Sequence, residues 1–294
     1  MKSNLKIGIA LGSGSARGWS HIGVLRALNE AGIRPQIVCG TSIGALVGAV
    51  YADGDLDTLE DWVTGLTWRK VLGFFDISFN GGFLKGAKLI SFLRDNLLDK
   101  RVEDLALPYG AVATDLRSGR EIWLREGSAA DVVRASIATP GLFTPCAIDG
   151  RLLVDGALVN PVPVSLCRAM GADFVIGVDL GSGLAGSHAR GPSGDRQPNM
   201  IEVIAESINI MQVRITRSRL AGEPADVLIT PRLGNMGTLD YHRAAESIKE
   251  GRAAVELMLP QIRQPAAGAA GAQGSPSASL AWRSRASGLM GLFR

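Results

Sequence analysis

The N-terminal stretch of this chain runs strand, glycine turn, helix and then strand, glycine turn, helix again, with no internal sequence repeat, and that succession constrains the fold most. Leu5 to Leu11 is a mainly apolar run suited to a buried strand, and it breaks at Gly12-Ser13-Gly14. A helix is expected from about Arg17 to Ala31, where Ile22, Leu25 and Leu28 share one face and Gly32 supplies a stop. A second apolar run, Ile37 to Cys39, meets a tight turn from Gly40 to Gly44, and an apolar helix follows from Ile43 to about Tyr51. Strand, turn, helix, strand, turn, helix at this spacing implies an α/β fold with a parallel sheet.

The remaining segments extend that pattern. Helices are expected over Asp55–Leu66 and Gly86–Leu98, with an aromatic loop around Phe74, Phe75 and Phe79 between them. Tyr109–Thr114 and Glu121–Leu124 read as strands joined through Arg117-Ser118-Gly119, and Ala130–Ala138 as a helix stopped by Thr139-Pro140-Gly141. Asp149-Gly150, between Cys146–Ile148 and Arg151–Val154, is a strong two-residue hairpin signal. Then come a helix Val162–Met170, a buried strand Phe174–Val178 and a polar Gly/Ser/Arg loop Gly181–Pro198. A helix Met200–Leu220, a strand Val227–Thr230 and a last helix Tyr241–Ile262 complete the body. Pro265–Ser279 is almost entirely Ala, Gly, Ser, Pro and Gln, a composition that buries too little surface to order itself. One domain over residues 5–264 and a tail over 265–294 are therefore expected.

Charge and cysteine narrow the function classes. Formal net charge is +3, and the segment from Pro265 to Arg294 carries Arg283, Arg285 and Arg294 with no acid, which leaves residues 1–264 neutral. A neutral body argues against phosphate-backbone binding, so no nucleic-acid partner is expected. Cys39, Cys146 and Cys167 lie in apolar runs without C-x-x-C spacing and read as buried free thiols. No His/Cys cluster suggests zinc, and neither metal nor cofactor is expected. Met1 to Ala10 is too short and too soon interrupted for a signal peptide, and no run reaches the roughly 18 apolar residues of a membrane span. Cytoplasmic residence is the expectation.

Chemistry concentrates in three places. Gly40-Thr41-Ser42-Ile43-Gly44 fits G-x-S-x-G between an apolar run and an apolar helix. The glycines permit a sharp turn, and Ser42 would project from a strand end at a helix N-terminus, where amide dipoles favour developing negative charge. The competing reading makes Ser42 a helix cap. The second place, Gly12-Ser13-Gly14-Ser15-Ala16-Arg17-Gly18, fails the dinucleotide pattern because Arg17 stands where a third glycine belongs, and it lacks the Gly-Lys-Ser/Thr of a P-loop. Its amides suit either an oxyanion or a phosphate.

A serine nucleophile needs a base, and the third place offers one. Asp155 ends the strand Arg151–Val154, and Gly156-Ala157 after it leaves room for close approach. Part-buried surroundings would raise its proton affinity, as a base requires; otherwise it caps a turn. Of the three histidines, His21 lies on the first helix and His188 in the polar loop. His242 opens the last helix and is the credible histidine partner.

Taken together these elements resemble the patatin-like phospholipase family, in particular its small bacterial members. Such proteins carry a glycine-rich loop ending in Arg/Lys-Gly, a G-x-S-x-G about one helix later, and an Asp-Gly-Gly/Ala further on. Gly14-Ser15-Ala16-Arg17-Gly18, Gly40 to Gly44 and Asp155-Gly156-Ala157 match in that order. The likeness runs on through Ala135-Ser136-Ile137-Ala138-Thr139-Pro140, Phe143 to Pro145 and Asn160-Pro161-Val162-Pro163, over roughly residues 5 to 232. It implies a three-layer α/β/α fold with a mainly parallel central sheet and a Ser–Asp dyad without histidine. By matched position Ser42 is the nucleophile and Asp155 the base. Gly14, Ser15, Arg17 and Gly18 form the oxyanion loop, in which amides around Gly14 and Ser15 make the hole and Arg17 braces it. Ser13 and Ser15 depart from the glycines of many relatives, so the hole depends on Ser15 adopting the required backbone angles.

The expected function is a serine esterase or lipid acyl hydrolase working through an acyl-enzyme on an acyl ester or phospholipid. Two alternatives stand beside it: an α/β-hydrolase triad using His242, and a non-catalytic regulatory or acyl- or anion-binding protein on the same scaffold. Phe74, Phe75, Phe79 and Phe83 are candidates for an acyl-chain groove or for core. The tail from Leu280 to Arg294 mixes Trp282, Leu289, Met290, Leu292 and Phe293 with three arginines, a composition suited to peripheral contact at the inner membrane surface as well as to a disordered end.

Overall fold

Mainly apolar runs make eight strands, joined in one sheet among the described residues of the computed structural model. Those residues are 5–69, 71, 91, 93–95, 97–181 and 200–271. The strands are β1 (Ile7–Leu11), β2 (Ile37–Thr41), β3 (Tyr109–Asp115), β4 (Glu121–Leu124), β5 (Cys146–Ile148), β6 (Arg151–Asp155), β7 (Phe174–Val178) and β8 (Val227–Ile229). Hydrogen-bonded neighbours run β5-β6-β3-β2-β1-β7-β8, with β4 also on β3. The centre is parallel, and the pairings of β3 with β4, β3 with β6 and β5 with β6 are antiparallel.

Helices cover both faces. They are α1 (Ser20–Glu30), α2 (Ile43–Asp53), α3 (Leu56–Thr64), α4 (Ala129–Ser136), α5 (Val164–Ala169), α6 (Met200–Gly222) and α7 (Ala244–Gly271). Alternation along the strands sends Ile9, Leu11, Val38, Ala111 and Ile176 into one large core with α1, α2, α3, α4 and α7. Ala10, Cys39, Val112 and Val175 point the other way, to a smaller core with α5. This is the expected three-layer α/β/α arrangement, and strands buried on both faces explain why their sequences are apolar throughout.

The sheet has an unusual joint at β3. β2 lies along one edge of β3, from Tyr109 to Val112, and β4 lies along the other, from Ala111 to Thr114. β6 pairs with Ala113 to Asp115, where β4 already fills its own edge, so β6 takes up the edge that β2 has left. The two strands therefore approach head-on. Thr41 faces Val112, and Asp155 faces the next residue, Ala113.

Several local expectations are refined. The chain reaches α1 through a tight 3-10 turn, Ser15–Trp19, because Ser15 has φ 53° and the Arg17 amide bonds back to Gly14 O at 3.2 Å. α7 follows a short 3-10 turn, Tyr241–Arg243, and continues to Gly271 past Pro265, where alanine favours helix. Asp149 and Gly150 both have positive φ, as a primed hairpin turn requires. Cys39 and Cys167 are buried and Cys146 half-buried, all three as free thiols. The aromatic run Phe74 to Phe83, most of the helix expected over Gly86–Leu98, the polar loop after Gly181, His188 and the tail beyond Gly271 lie outside the described residues. No helix among the described residues is long and apolar enough to cross a membrane.

α1 and α7 cross at two glycines. A methyl group on Gly23 would lie 1.9 Å from Ile248 O, and one on Gly251 2.0 Å from Ser20 O. Backbone stands on the far side in both cases, so neither clash is relieved by a rotamer. Gly23→Ala and Gly251→Ala are each expected to lower stability by about 3 kcal/mol, read as a shift of the urea midpoint at unchanged slope. A loss below about 0.5 kcal/mol in both would contradict the close crossing.

Candidate active site

The head-on joint sets the site. Ser42 directly follows β2 and precedes α2, with φ 57° and ψ −123°, a region that costs a non-glycine residue about 1–3 kcal/mol. Its neighbours explain how the turn fits. A methyl on Gly40 would lie 2.3 Å from Gly44 O, and one on Gly44 2.2 Å from Leu11 O. The Ser42 amide donates to Ser136 Oγ at 2.9 Å, and that hydroxyl in turn donates to Val112 O at 2.7 Å. Ser42 makes no side-chain capping bond to α2. Its hydroxyl donates instead to Asp155 Oδ2, 2.8 Å away.

Asp155 is held at five points. Its amide donates to Ala138 O at 3.0 Å, and its carbonyl accepts from Thr114 Oγ1 at 2.9 Å. Oδ2 also accepts from Thr139 Oγ1 at 2.6 Å, while Oδ1 accepts from the Ala157 amide at 2.9 Å. Gly156 lets the strand end close on β3, since a methyl there would lie 2.2 Å from Val112 O. Asp155 is 1 % exposed, and that burial pushes its carboxyl above the usual carboxylate range. The bonds from Thr139, Ala157 and Ser42 pull it back only in part.

The glycine loop sits beside this pair. The amides of Gly12, Ser13 and Ala16 donate to Val178 O, Pro161 O and Thr238 O at 3.0, 2.9 and 3.2 Å. Those of Gly14 and Ser15 have no acceptor among the described residues, and both residues line the cavity over Ser42. The Arg17 amide is spent on Gly14 O within the turn. Its buried guanidinium donates to Gly14 O at 3.3 Å and to Asn209 Oδ1 at 3.0 Å, so it ties the loop to α6. Burial lowers its proton affinity, and Glu206 and Asp179 counter that loss. Gly18 contributes by absence, for a methyl there would lie 2.2 Å from Ile43 Cγ2. The loop is thereby seated directly on the turn that carries Ser42.

The cavity measures about 320 Å³, and its wall is mainly apolar, with Ile43, Leu46, Trp62, Ile137, Leu142 and Ile208 around the polar pair. Val71 lines it as well. Among the described residues, no set of three His, Cys, Asp or Glu side chains is grouped to hold a metal. Neither described histidine meets the pair. His21 is fully buried with Nε2 2.7 Å from Gly12 O, and desolvation lowers its pKa to about 4. His242 is exposed and packs edge-on against Trp68. Sequence reasoning gave no role to Ser136, Thr139 or Tyr241. The first two stand in the stretch Ala135 to Pro140 that carried the resemblance, whereas nothing in the local pattern singled out Tyr241.

A family model of patatin-like phospholipases matches residues 9–168, a span that takes in the loop, Ser42 and Asp155. The chain belongs to the patatin-like phospholipase family. It is 34 % identical to an uncharacterized NTE family protein of Mycobacterium tuberculosis, over 85 % of this chain and 90 % of that one. It is 38 % identical to patatin-like phospholipase domain-containing protein 6 of Homo sapiens, over 60 % of this chain but 13 % of the human protein. VipD from Legionella pneumophila aligns in structure with a TM-score of 0.44 at 14 % identity, over 87 % of this chain and 67 % of VipD. Membership sets this patatin-like chain among lipid hydrolases in the broad sense.

Thr139 generates a direct test of the electrostatics. Its hydrogen bond favours the charged carboxylate, so Thr139→Val raises the Asp155 pKa further. A bond to a charged group is worth about 1.5–3 kcal/mol, or about one to two pH units. Carbon-13 titration of the Asp155 carboxyl is expected to give a midpoint above the ordinary value of about 3.9, moving upward in the variant. A midpoint below the ordinary value, or one the variant leaves in place, contradicts this account.

Proposed function

We propose that this protein is a serine acyl hydrolase acting on carboxylic esters with an apolar acyl chain, through a Ser42–Asp155 dyad. The observation that carries the reading is the 2.8 Å bond from the Ser42 hydroxyl to a buried carboxylate, with neither described histidine at either group. As Ser42 Oγ attacks the ester carbonyl, its proton passes to Asp155. The negative charge on the carbonyl oxygen is met by the free amides of Gly14 and Ser15. Collapse breaks the bond to the leaving alkoxide, which takes the proton from Asp155, and an acyl-serine remains. Water then gives a proton to Asp155 and attacks the acyl carbonyl. Ser42 leaves as the new bond forms, recovers the proton, and the carboxylic acid departs.

The surroundings support each role. An ordinary carboxylate is a weak base at neutral pH, and burial moves Asp155 toward a useful proton affinity. One oxyanion donor is worth about 3–4 kcal/mol in a site that excludes water. The apolar wall suits an acyl chain, and a cavity of about 320 Å³ lies within the range of small-molecule sites. A triad through His242 finds no support, because that ring is exposed and packed on Trp68. A purely binding function leaves the strained Ser42 and its bond to Asp155 without a purpose.

With p-nitrophenyl esters of graded chain length, Ser42→Ala and Asp155→Asn are each expected to lower kcat by about 10³-fold or more, with His242→Ala within twofold of the parent. A fluorophosphonate probe is expected to label Ser42 in the folded chain. Loss of activity in His242→Ala with retention in Asp155→Asn would restore the triad. Folded protein that takes up no probe would point to the binding role.

A further inference from the structure

We propose that the solvent face of α6, together with Trp68 and Leu239, docks on a phospholipid surface bearing negative charge; this rests on the acyl-hydrolase reading and adds where its substrate is met. On α6, Val203, Ile204, Ile210 and Met211 are 41–50 % exposed at helical spacing. Arg214 and Arg217 continue the same face, exposed and without an ion pair among the described residues. From Val203 to Arg217 the one acid is Glu206, which borders the cavity. Trp68 and Leu239, 48 % and 38 % exposed, add apolar surface. An apolar face carrying arginines is the composition of helices that lie in a lipid interface.

The mouth identifies the occupant. Ile204 and Leu239 are both exposed and line the cavity, so whatever covers this face also covers the opening. A protein partner, or a second copy of this chain, would seal the cavity. A second copy would also bring Arg214 and Arg217 against their own kind. A lipid surface meets the arginines with phosphate and presents acyl esters at the opening.

The test uses the full chain carrying Ser42→Ala, sedimented with phosphatidylcholine vesicles containing phosphatidylglycerol. Adding Ile210→Glu with Met211→Glu is expected to lower partition at least tenfold. Arg214→Glu with Arg217→Glu is expected to remove the dependence on phosphatidylglycerol. With Ser42 intact, both pairs are expected to hydrolyse p-nitrophenyl butyrate within twofold of the parent. Undiminished vesicle binding by the Ile210/Met211 pair overturns the proposal and points to the tail, and a dimer dissolved by those substitutions overturns it in favour of a second copy. A parent that hydrolyses no ester while its vesicle binding depends on this face would instead sink the catalytic reading alone.

A separate observation concerns Ser15. Its φ of 53° is a region that favours glycine, and its hydroxyl lies 2.7 Å from the Tyr241 hydroxyl. Tyr241 is itself fixed, with its carbonyl accepting from Trp19 Nε1 at 3.2 Å and its ring 5.9 Å from that of Trp19. We infer that Tyr241 is a positioning residue that pins Ser15 in this conformation and so aims its free amide into the cavity, substituting for the freedom of a glycine. Tyr241→Phe is expected to lower kcat on p-nitrophenyl butyrate at least tenfold with KM within twofold. In a Ser15→Gly background the same change is expected to cost less than threefold. Equal losses in both backgrounds, or no loss in the natural one, overturn the inference.

Discussion

β2 and β6 end nose to nose on one edge of β3, and the hydrogen bond between Ser42 and Asp155 is the consequence on which the site depends. The pairing is set by main chain. A slip of one residue in β6 would turn the Asp155 side chain to the other face of the sheet. Two bonds oppose such a slip, Asp155 N to Ala138 O and Thr114 Oγ1 to Asp155 O, while the Ser136 hydroxyl fixes the opposing chain end between Val112 O and Ser42 N. Residues 113 positions apart in the chain therefore meet by register, before any attraction between their side chains is considered.

That arrangement carries two costs, and both bear on chemistry. Ser42 occupies a strained region of backbone space, which keeps its hydroxyl at the strand end and leaves its side chain free of capping duty. Asp155 sits in a dry place that disfavours its charge. Hydrogen bonds from Thr139, Ala157 and Ser42 restore part of that loss, and the net effect is a raised affinity for a proton. Neither described histidine reaches this pair. His21, the one nearest in sequence to the loop, is held neutral by burial and committed to Gly12 O, where it supports the loop's base.

Much of this was readable in the sequence, for identifiable reasons. Strands buried on both faces leave unbroken apolar runs, so β1, β2, β3 and β7 were legible locally. Gly40, Gly44 and Gly156 were legible because close backbone approach forces glycine at each. What pattern cannot carry is a partner chosen by tertiary placement. Thr139 follows a helix stop and Ser136 closes a helix, and neither position announces that its hydroxyl reaches Asp155 or Ser42. Tyr241 meets Ser15 across 226 positions, with no local sign of it. The need for unusual backbone angles at Ser15 was legible, whereas the 3-10 turn that its positive φ opens before α1 has no local signature in Ser15-Ala16-Arg17-Gly18. The run of α7 past Pro265 is hard to read because an alanine-rich segment carries helix propensity and a low-complexity composition at once.

α6 joins the interior of this site to its surroundings. Its buried side presents Asn209 to Arg17, and Arg17 holds Gly14 O, the carbonyl between the two free amides of the loop. Its outer side presents Val203, Ile210 and Met211 to solvent. Asn209 and Ile210 are neighbours in the chain on these two faces, and a helix moves as a body. Whatever fixes the outer face therefore also fixes Asn209, and with it the guanidinium that braces the loop. A loop carrying two unsatisfied amides has little reason of its own to stay in place, so its order must come from such external ties: Arg17 to α6, Tyr241 to Ser15, and Gly18 against Ile43.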